Sequence, residues 1–380
     1  MKKLILLPLF ATTLSFASYE EHFPRYFEYC TGTQLKYQKE YFGGSSGGIG
    51  GHGFMYIHGL CKDYSKNYPQ VISCAELTER NHDGVGVSLD SDFSNVAWIA
   101  VPGRDLMMNG EASRKALSDS ELNFIARKAV ELKIFENVKM KPEYVSRHEF
   151  NSSDYQHAAA MYSIGTDLAV NLARELRCVR IPVPEQSIKE AAKYLNETND
   201  NYYKTGKEYK WDMAKNNCTH LAMNTSHAMG INPSIATDQV LAKQIFSLAI
   251  PANAYLMYVD KTILKKQTVK RIKRSRAFKK FGFHPTQVGS LVQKYEVYPS
   301  SAMFITEELK GLTLPRKNVL KLLATPKKYD EKLTESKYSD LELSSMRWHG
   351  MYSRMLEKSP DAEVEQYLQE QLKLTEQVQD

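Results

Sequence analysis

Residues 211–221 read Trp211-Asp-Met-Ala-Lys-Asn-Asn-Cys218-Thr-His-Leu221, a polar stretch that turns into a helical pattern. Asn217 suits an N-cap, because its side-chain oxygen can accept a backbone N–H that the first turn leaves unpaired. Cys218 then falls in the first turn, where unpaired N–H groups and the helix dipole favour a thiolate. A small core cysteine is the bland alternative, but Asn216, Asn217, Thr219 and His220 around it are polar. The helix is expected over 219–229, stopped by Gly230 and Pro233. Far upstream, His52-Gly-Phe-Met-Tyr-Ile-His58-Gly59 follows a glycine-rich run and reads as an apolar strand. A thiol at a helix start, with a distant histidine as base, is the minimal set for acyl transfer through a thioester.

Residues 85–89 and 95–101 read as further strands, antiparallel to the first, with Gly, Asp and Ser between them. Residues 18–42 are aromatic, broken by Pro24, and read as a short helix or an extended lead-in. Ser118-Asp-Ser-Glu121 is a capping box for a helix reaching about residue 135. Helical patterns follow at 154–177 and, with proline at its start, at 184–194. The last 80 residues read as helical, punctuated by Pro315, Pro326 and Pro360. The expected class is α+β, an antiparallel sheet packed on the Cys218 helix. The expected segments are a leader at 1–17, a catalytic domain at 18–250, a basic membrane-facing segment at 251–300 and a helical region at 301–380.

The leader has Lys2 and Lys3, an apolar core at 4–16, and small Ser15 and Ala17 before Ser18, the pattern of a secretory signal. No other apolar run is long enough to cross a bilayer. Export to a periplasm is therefore expected, either free or peripheral to a membrane. Five cysteines in an oxidising compartment leave one thiol over, and Cys218 is expected to be it. Cys30, Cys61, Cys74 and Cys178 would form two bridges, which can be drawn three ways. The formal net charge is +6, yet residues 261–280 alone hold ten Lys and Arg and no acid. The positive charge is local, and the rest of the exported chain is mildly acidic.

Within the strand, His52 and His58 are six residues apart and share a face, so either can serve as base. His52 is favoured because it adjoins the loop containing Gly47, Gly48, Gly50 and Gly51, glycines that let a backbone approach a substrate. That loop lacks the Gly-Lys-Ser/Thr ending of a phosphate cradle and leads into a strand, not a helix. Asp90, Ser88 or His58 is available to orient the imidazole. Asn217 and Asn216, with backbone N–H groups, are candidates for stabilising an oxyanion. His220 and His227 read as a surface face of the helix. No metal is expected, since neither Cys-x-x-Cys nor His-x-x-x-His spacing occurs near Cys218, and no organic cofactor is needed. Arg104 reads as part of a strand-exit turn. In the basic stripe, Lys270, Arg271, Lys273, Arg274 and Arg276 are interleaved with Ile263, Leu264, Ile272 and Phe278, a composition suited to an anionic membrane surface. Nucleic acid is not an expected partner of an exported protein, and nothing in the residues speaks to oligomeric state.

Gly51-His52-Gly-Phe at a strand start, the segment from Arg104-Asp-Leu to Glu121, and Asn216-Asn-Cys218-Thr219 at a helix start together resemble the circularly permuted papain-like (NlpC-type) fold. More narrowly, they resemble the periplasmic N-terminal domain of the bacterial lipoprotein N-acyltransferase family known from Bacteroides. Ordinary NlpC-type members place Cys before His, whereas here His52 precedes Cys218. The resemblance covers roughly residues 40–230. The long glycine loop departs from the pattern, and the C-terminal third has no counterpart in it. The resemblance implies a permuted papain-like core, Cys218 as nucleophile and His52 as base. It implies movement of an acyl chain from phospholipid to an amine such as a lipoprotein N-terminus. Cleavage of peptidoglycan peptides, the commoner role of NlpC-type folds, is the alternative, and a non-catalytic envelope scaffold is the third reading.

Overall fold

A computed structural model describes residues 19–32, 52–75, 84–104, 106, 119–143, 145, 156, 159, 176–212, 215–235, 251–295, 333, 335–358 and 361–379. At the middle of the sheet is β1 (Tyr26–Gly32), in the stretch expected to be a helix or lead-in. It pairs antiparallel with β2 (His52–His58), setting Gly32 opposite His52. On its other side it pairs antiparallel with β7 (Leu176–Pro182). With β5 (Gly84–Ser88), β6 (Ile99–Pro102) and β8 (Leu291–Tyr295), the sheet runs in the order β6-β5-β2-β1-β7-β8, every neighbour antiparallel. A separate ribbon pairs β3 (Leu60–Lys62) with β4 (Val71–Ser73). Among the described residues the helices are α1 (Tyr19–His22), α2 (Asp119–Glu131), α3 (Glu185–Tyr203), α4 (Cys218–Ala228), α5 (Pro251–Val259), α6 (Val269–Arg274), α7 (Arg276–Phe281), α8 (Leu341–Leu356) and α9 (Ala362–Gln377). The class is therefore α+β, with an antiparallel sheet and a helical C-terminal region.

Side chains alternate across the sheet. Phe27 and Tyr29 of β1 face α5, their rings 5.7 and 5.0 Å from that of Tyr258. Tyr26, Glu28 and Cys30 leave on the opposite face. There Cys30 is bridged to Cys178, its direct partner on β7. Glu28 is fully buried and held by Arg104 at 2.6 Å and Arg180 at 3.2 Å. Burial alone would raise its pKa, but the two guanidinium groups outweigh that and hold the carboxyl below its ordinary range. Arg104 thus sits in a buried ion cluster, over the Tyr56 ring.

The second bridge, Cys61–Cys74, staples β3 to the end of β4, and Cys218 alone of the five cysteines is in no disulfide, as expected. Two disulfides fit an oxidising, exported environment. Among the described residues, no helix is long and apolar enough to cross a membrane.

Two boundaries move. The helix expected at 184–194 continues to Tyr203, because its polar second half is held by distant backbone. Asn199 accepts from Ala97 N at 2.9 Å and donates to Pro69 O and Trp98 O at 2.9 and 3.0 Å. The segment 251–300, expected to be a membrane-facing unit apart from the catalytic domain, supplies α5 to the face of β1 and β8 to the edge beyond β7. The C-terminal helices close over the same segment. Tyr367 Oη accepts from His284 N at 3.3 Å, and Gln371 Oε1 accepts from Val288 N at 3.3 Å. The buried apolar residues, from Tyr19 to Leu368, form one cluster.

Candidate active site

Cys218 opens α4 because Asn217 stops the chain in extended geometry and caps it. Its Oδ1 accepts from His220 N at 3.0 Å and also lies 2.9 Å from His220 Nδ1. Nδ1 is therefore the proton-bearing nitrogen of His220. The approach to the cap is fixed as firmly. Tyr209 Oη donates to Asn216 O at 3.1 Å, and Asn216 Nδ2 donates to Lys210 O at 2.9 Å. Both asparagines proposed for an oxyanion role thus have their side chains engaged in building the helix start. His220 is buried and part of the cap, not on a surface face. His227, near the helix end, contacts Asn232 O at 2.9 Å and Arg276.

Cys218 is partly exposed, and Tyr29 and Tyr209 lie near it. Tyr29 reaches it from β1. That hydroxyl donates to Pro251 O at 3.1 Å. Its pKa is pushed well up, by burial first and then by the charge of a nearby Cys218 thiolate, with a hydrogen bond to Thr219 opposing. Gly53 of β2 lies against the same hydroxyl: a Cβ added there would stand 2.5 Å from Tyr29 Oη. Only glycine leaves room, so β2, Tyr29 and the start of α4 meet at this point. Tyr209 senses both Cys218 and Asp90, which add to the upward shift that burial and Tyr202 give its phenol.

His52, one residue before Gly53, is almost fully buried, with Nε2 2.8 Å from Ser88 Oγ. Ser88, one of the three residues proposed to orient it, is in hydrogen-bond contact with it. Alternation along β2 sends His52 to the side of Phe54, whose ring stacks with its own at 6.4 Å, while Tyr29 approaches Cys218 from the other face. The imidazole and the thiol can therefore meet only around the end of the sheet, where His52 is the first residue of its strand.

His58 is removed from the candidate bases. Six residues along β2 place it about 20 Å from His52. There its Nδ1 contacts Pro24 O at 2.6 Å, and its ring stacks on Tyr26 at 5.1 Å and 3°. The substrate-loop glycines Gly47, Gly48, Gly50 and Gly51 lie outside the described residues.

The basic stripe is not a continuous amphipathic helix. It comprises a short π-helical turn (Asp260–Leu264), α6 and α7, separated by extended residues. Ile263, Ile272 and Phe278 are buried in the core, which corrects their expected role in membrane insertion. Lys273 is paired with Asp361 and Lys280 with Glu190. Lys270, Arg271, Arg274 and Arg276 line a cavity beside the end of α4.

Glu28, Cys30 and Cys178 are close enough to suggest a metal site, but both sulfurs are spent on the disulfide and the carboxylate on two arginines. Tyr29 is the neighbour of Cys218 that sequence reading missed. Its one signal was Gly53, a glycine inside a bulky strand and hence a mark of close approach. No family model, curated protein or solved structure matches the chain.

Proposed function

We propose that the protein is a thiol-dependent acyl transferase or hydrolase with Cys218 as nucleophile and His52 as base. One observation carries this reading. The one cysteine outside the two disulfides is the first residue of a capped helix and lies near Tyr29, whose hydroxyl stands against Gly53, the residue after His52. A thiol kept for packing alone has no need of a helix N-terminus or of two tyrosine hydroxyls nearby.

In the proposed reaction His52 takes the Cys218 proton and the thiolate attacks an ester or amide carbonyl. Backbone N–H groups at the start of α4 receive the developing oxyanion. The carbonyl–leaving-group bond breaks, the imidazolium returns its proton to that group, and the acyl chain remains on sulfur. An amine, or water, then attacks the thioester and releases the thiol. The asparagines serve this chemistry by setting the helix start. Tyr29, its phenol kept neutral by burial, lies near the sulfur with its hydroxyl proton donated to Pro251 O.

The substrate follows from the resemblance to permuted papain-like acyltransferases: a phospholipid as acyl donor and an amine, such as a lipoprotein N-terminus, as acceptor. Labelled phospholipid and, separately, purified peptidoglycan are incubated with the protein. An acyl group on Cys218, seen by mass spectrometry and absent in Cys218→Ser, is the expected result. New peptide ends would move the reading to a cell-wall amidase, and neither product would leave an envelope scaffold.

A further inference from the structure

The end of α4 borders a cavity of about 490 Å³ lined by Lys261, Lys265, Lys270, Arg271, Arg274 and Arg276, with no carboxylate among its lining residues. We infer that this cavity is a binding site for a phosphate-bearing ligand. Like charges crowded around a concavity raise each other's energy and focus a positive potential that an anion relieves. The volume is in the range of small-molecule sites. The arrangement is also built. Arg276 Nη1 lies 3.0 and 2.7 Å from the two ring nitrogens of His227 and donates to His227 O at 3.3 Å. Arg271 donates to Lys266 O. Lys261 Nζ donates to Asn232 Oδ1 at 3.2 Å. Carbonyl and amide oxygens hold these cations around the cavity, in contrast to Lys273 and Lys280, which are paired with acids. Guanidinium groups held in this way suit the forked recognition of phosphate oxygens.

The inference does not rest on the acyl-transfer reading. The eleven residues of α4 separate the cavity from Cys218 by about 15 Å of helix. A phospholipid carries its phosphate only a glycerol unit from its ester carbonyls, so the cavity does not hold the phosphate of a lipid being cleaved at the thiol. The ligand is a second phosphate group, either an anionic lipid headgroup or a free phosphate compound.

The full chain is titrated with inorganic pyrophosphate by calorimetry. It is also sedimented with vesicles of phosphatidylcholine, with and without phosphatidylglycerol. Saturable pyrophosphate binding is expected. Lys270→Gln/Arg271→Gln/Arg274→Gln should weaken it roughly tenfold or more, the size of one lost charge-assisted hydrogen bond. Lys66→Gln/Lys193→Gln/Lys358→Gln, the same charge change on exposed lysines elsewhere, should leave it within about twofold. Phosphatidylglycerol-dependent sedimentation that pyrophosphate competes away identifies a headgroup site, and pyrophosphate binding without it identifies a free phosphate ligand. If the cavity triple variant does not fold, Lys270→Gln and Arg274→Gln singly, both at exposed side chains, should show smaller losses in the same direction. No saturable binding of either probe, or equal losses in the cavity and control variants, overturns the site.

Discussion

The two histidines of β2 occupy opposite ends of one strand and differ in what they touch. His58 is held by a backbone carbonyl, Pro24 O, and stacked on Tyr26. Beside it lies the Glu28–Arg104–Arg180 cluster, with Glu20 as a second carboxylate on Arg180. His52 faces a hydroxyl, Ser88 Oγ, and the residue after it meets Tyr29 beside a free thiol. Residue type and strand face are the same for both. One imidazole has a carbonyl partner that fixes it as a structural donor. The other has a hydroxyl that can donate or accept and so tolerates a change in protonation. Chemistry is expected at the end of the sheet where partners are adaptable, and rigidity where they are not.

The largest expected effect separates those ends. Cys218→Ser and His52→Ala should each reduce acyl transfer by roughly three orders of magnitude or more, as for other nucleophile–base pairs. Melting temperature should stay close to that of the parent in Cys218→Ser, whereas His52→Ala gives up the Ser88 contact and a ring stack and should lose about 1–2 kcal/mol. At mildly acidic pH, His52→Ala should also slow alkylation of Cys218 by roughly tenfold, because the imidazolium no longer favours the thiolate. An unchanged alkylation profile would show that the two groups do not meet around the sheet end.

Next in size is Glu28→Gln, which removes the buried carboxylate shared by Arg104 and Arg180, Arg180 keeping Glu20 at 3.8 Å, and should cost about 3–5 kcal/mol in urea unfolding at neutral pH. The Glu28 carboxyl is held below its ordinary value of 4.5. Its contribution is therefore full above that value and is lost as pH falls through the folded one. The difference between parent and Glu28→Gln should accordingly narrow in acid. A constant difference down to pH 3 would refute the ion-cluster account.

Gly53→Ala tests the contact that ties β2 to the thiol. Its Cβ would lie 2.5 Å from Tyr29 Oη, so the hydroxyl must shift, at about 1–3 kcal/mol for an overpacked site. Cys218 alkylation should change in parallel. Adding Tyr29→Phe removes the colliding atom and should restore part of the stability, and strict additivity of the two changes would argue against the contact. The smallest effect belongs to His58→Ala. It gives up one hydrogen bond and a ring stack, about 1–2 kcal/mol, and should leave Cys218 reactivity unaltered.

What could be read locally was read from the sequence. The Asn217 cap and the start of α4 depend on residues three apart. The strand from His52 to His58 appears as an apolar run bounded by glycine, and Cys218 as the leftover thiol follows from an odd count. Tertiary structure alone decided the rest. β1 was not legible because Glu28 interrupts its apolar run. That charge becomes tolerable inside a sheet only through Arg104, 76 residues away, and Arg180, 152 residues away. The apolar members of the basic stripe looked ready to insert in a membrane until Ile263, Ile272 and Phe278 proved to be core. The different partners of His52 and His58, Ser88 Oγ and Pro24 O, come from segments 36 and 34 positions away. A hydrogen bond between near neighbours is set by the chain that carries it. Compensation of a buried charge, or the packing of the Cys218 helix on β2, is set only when distant segments share one core.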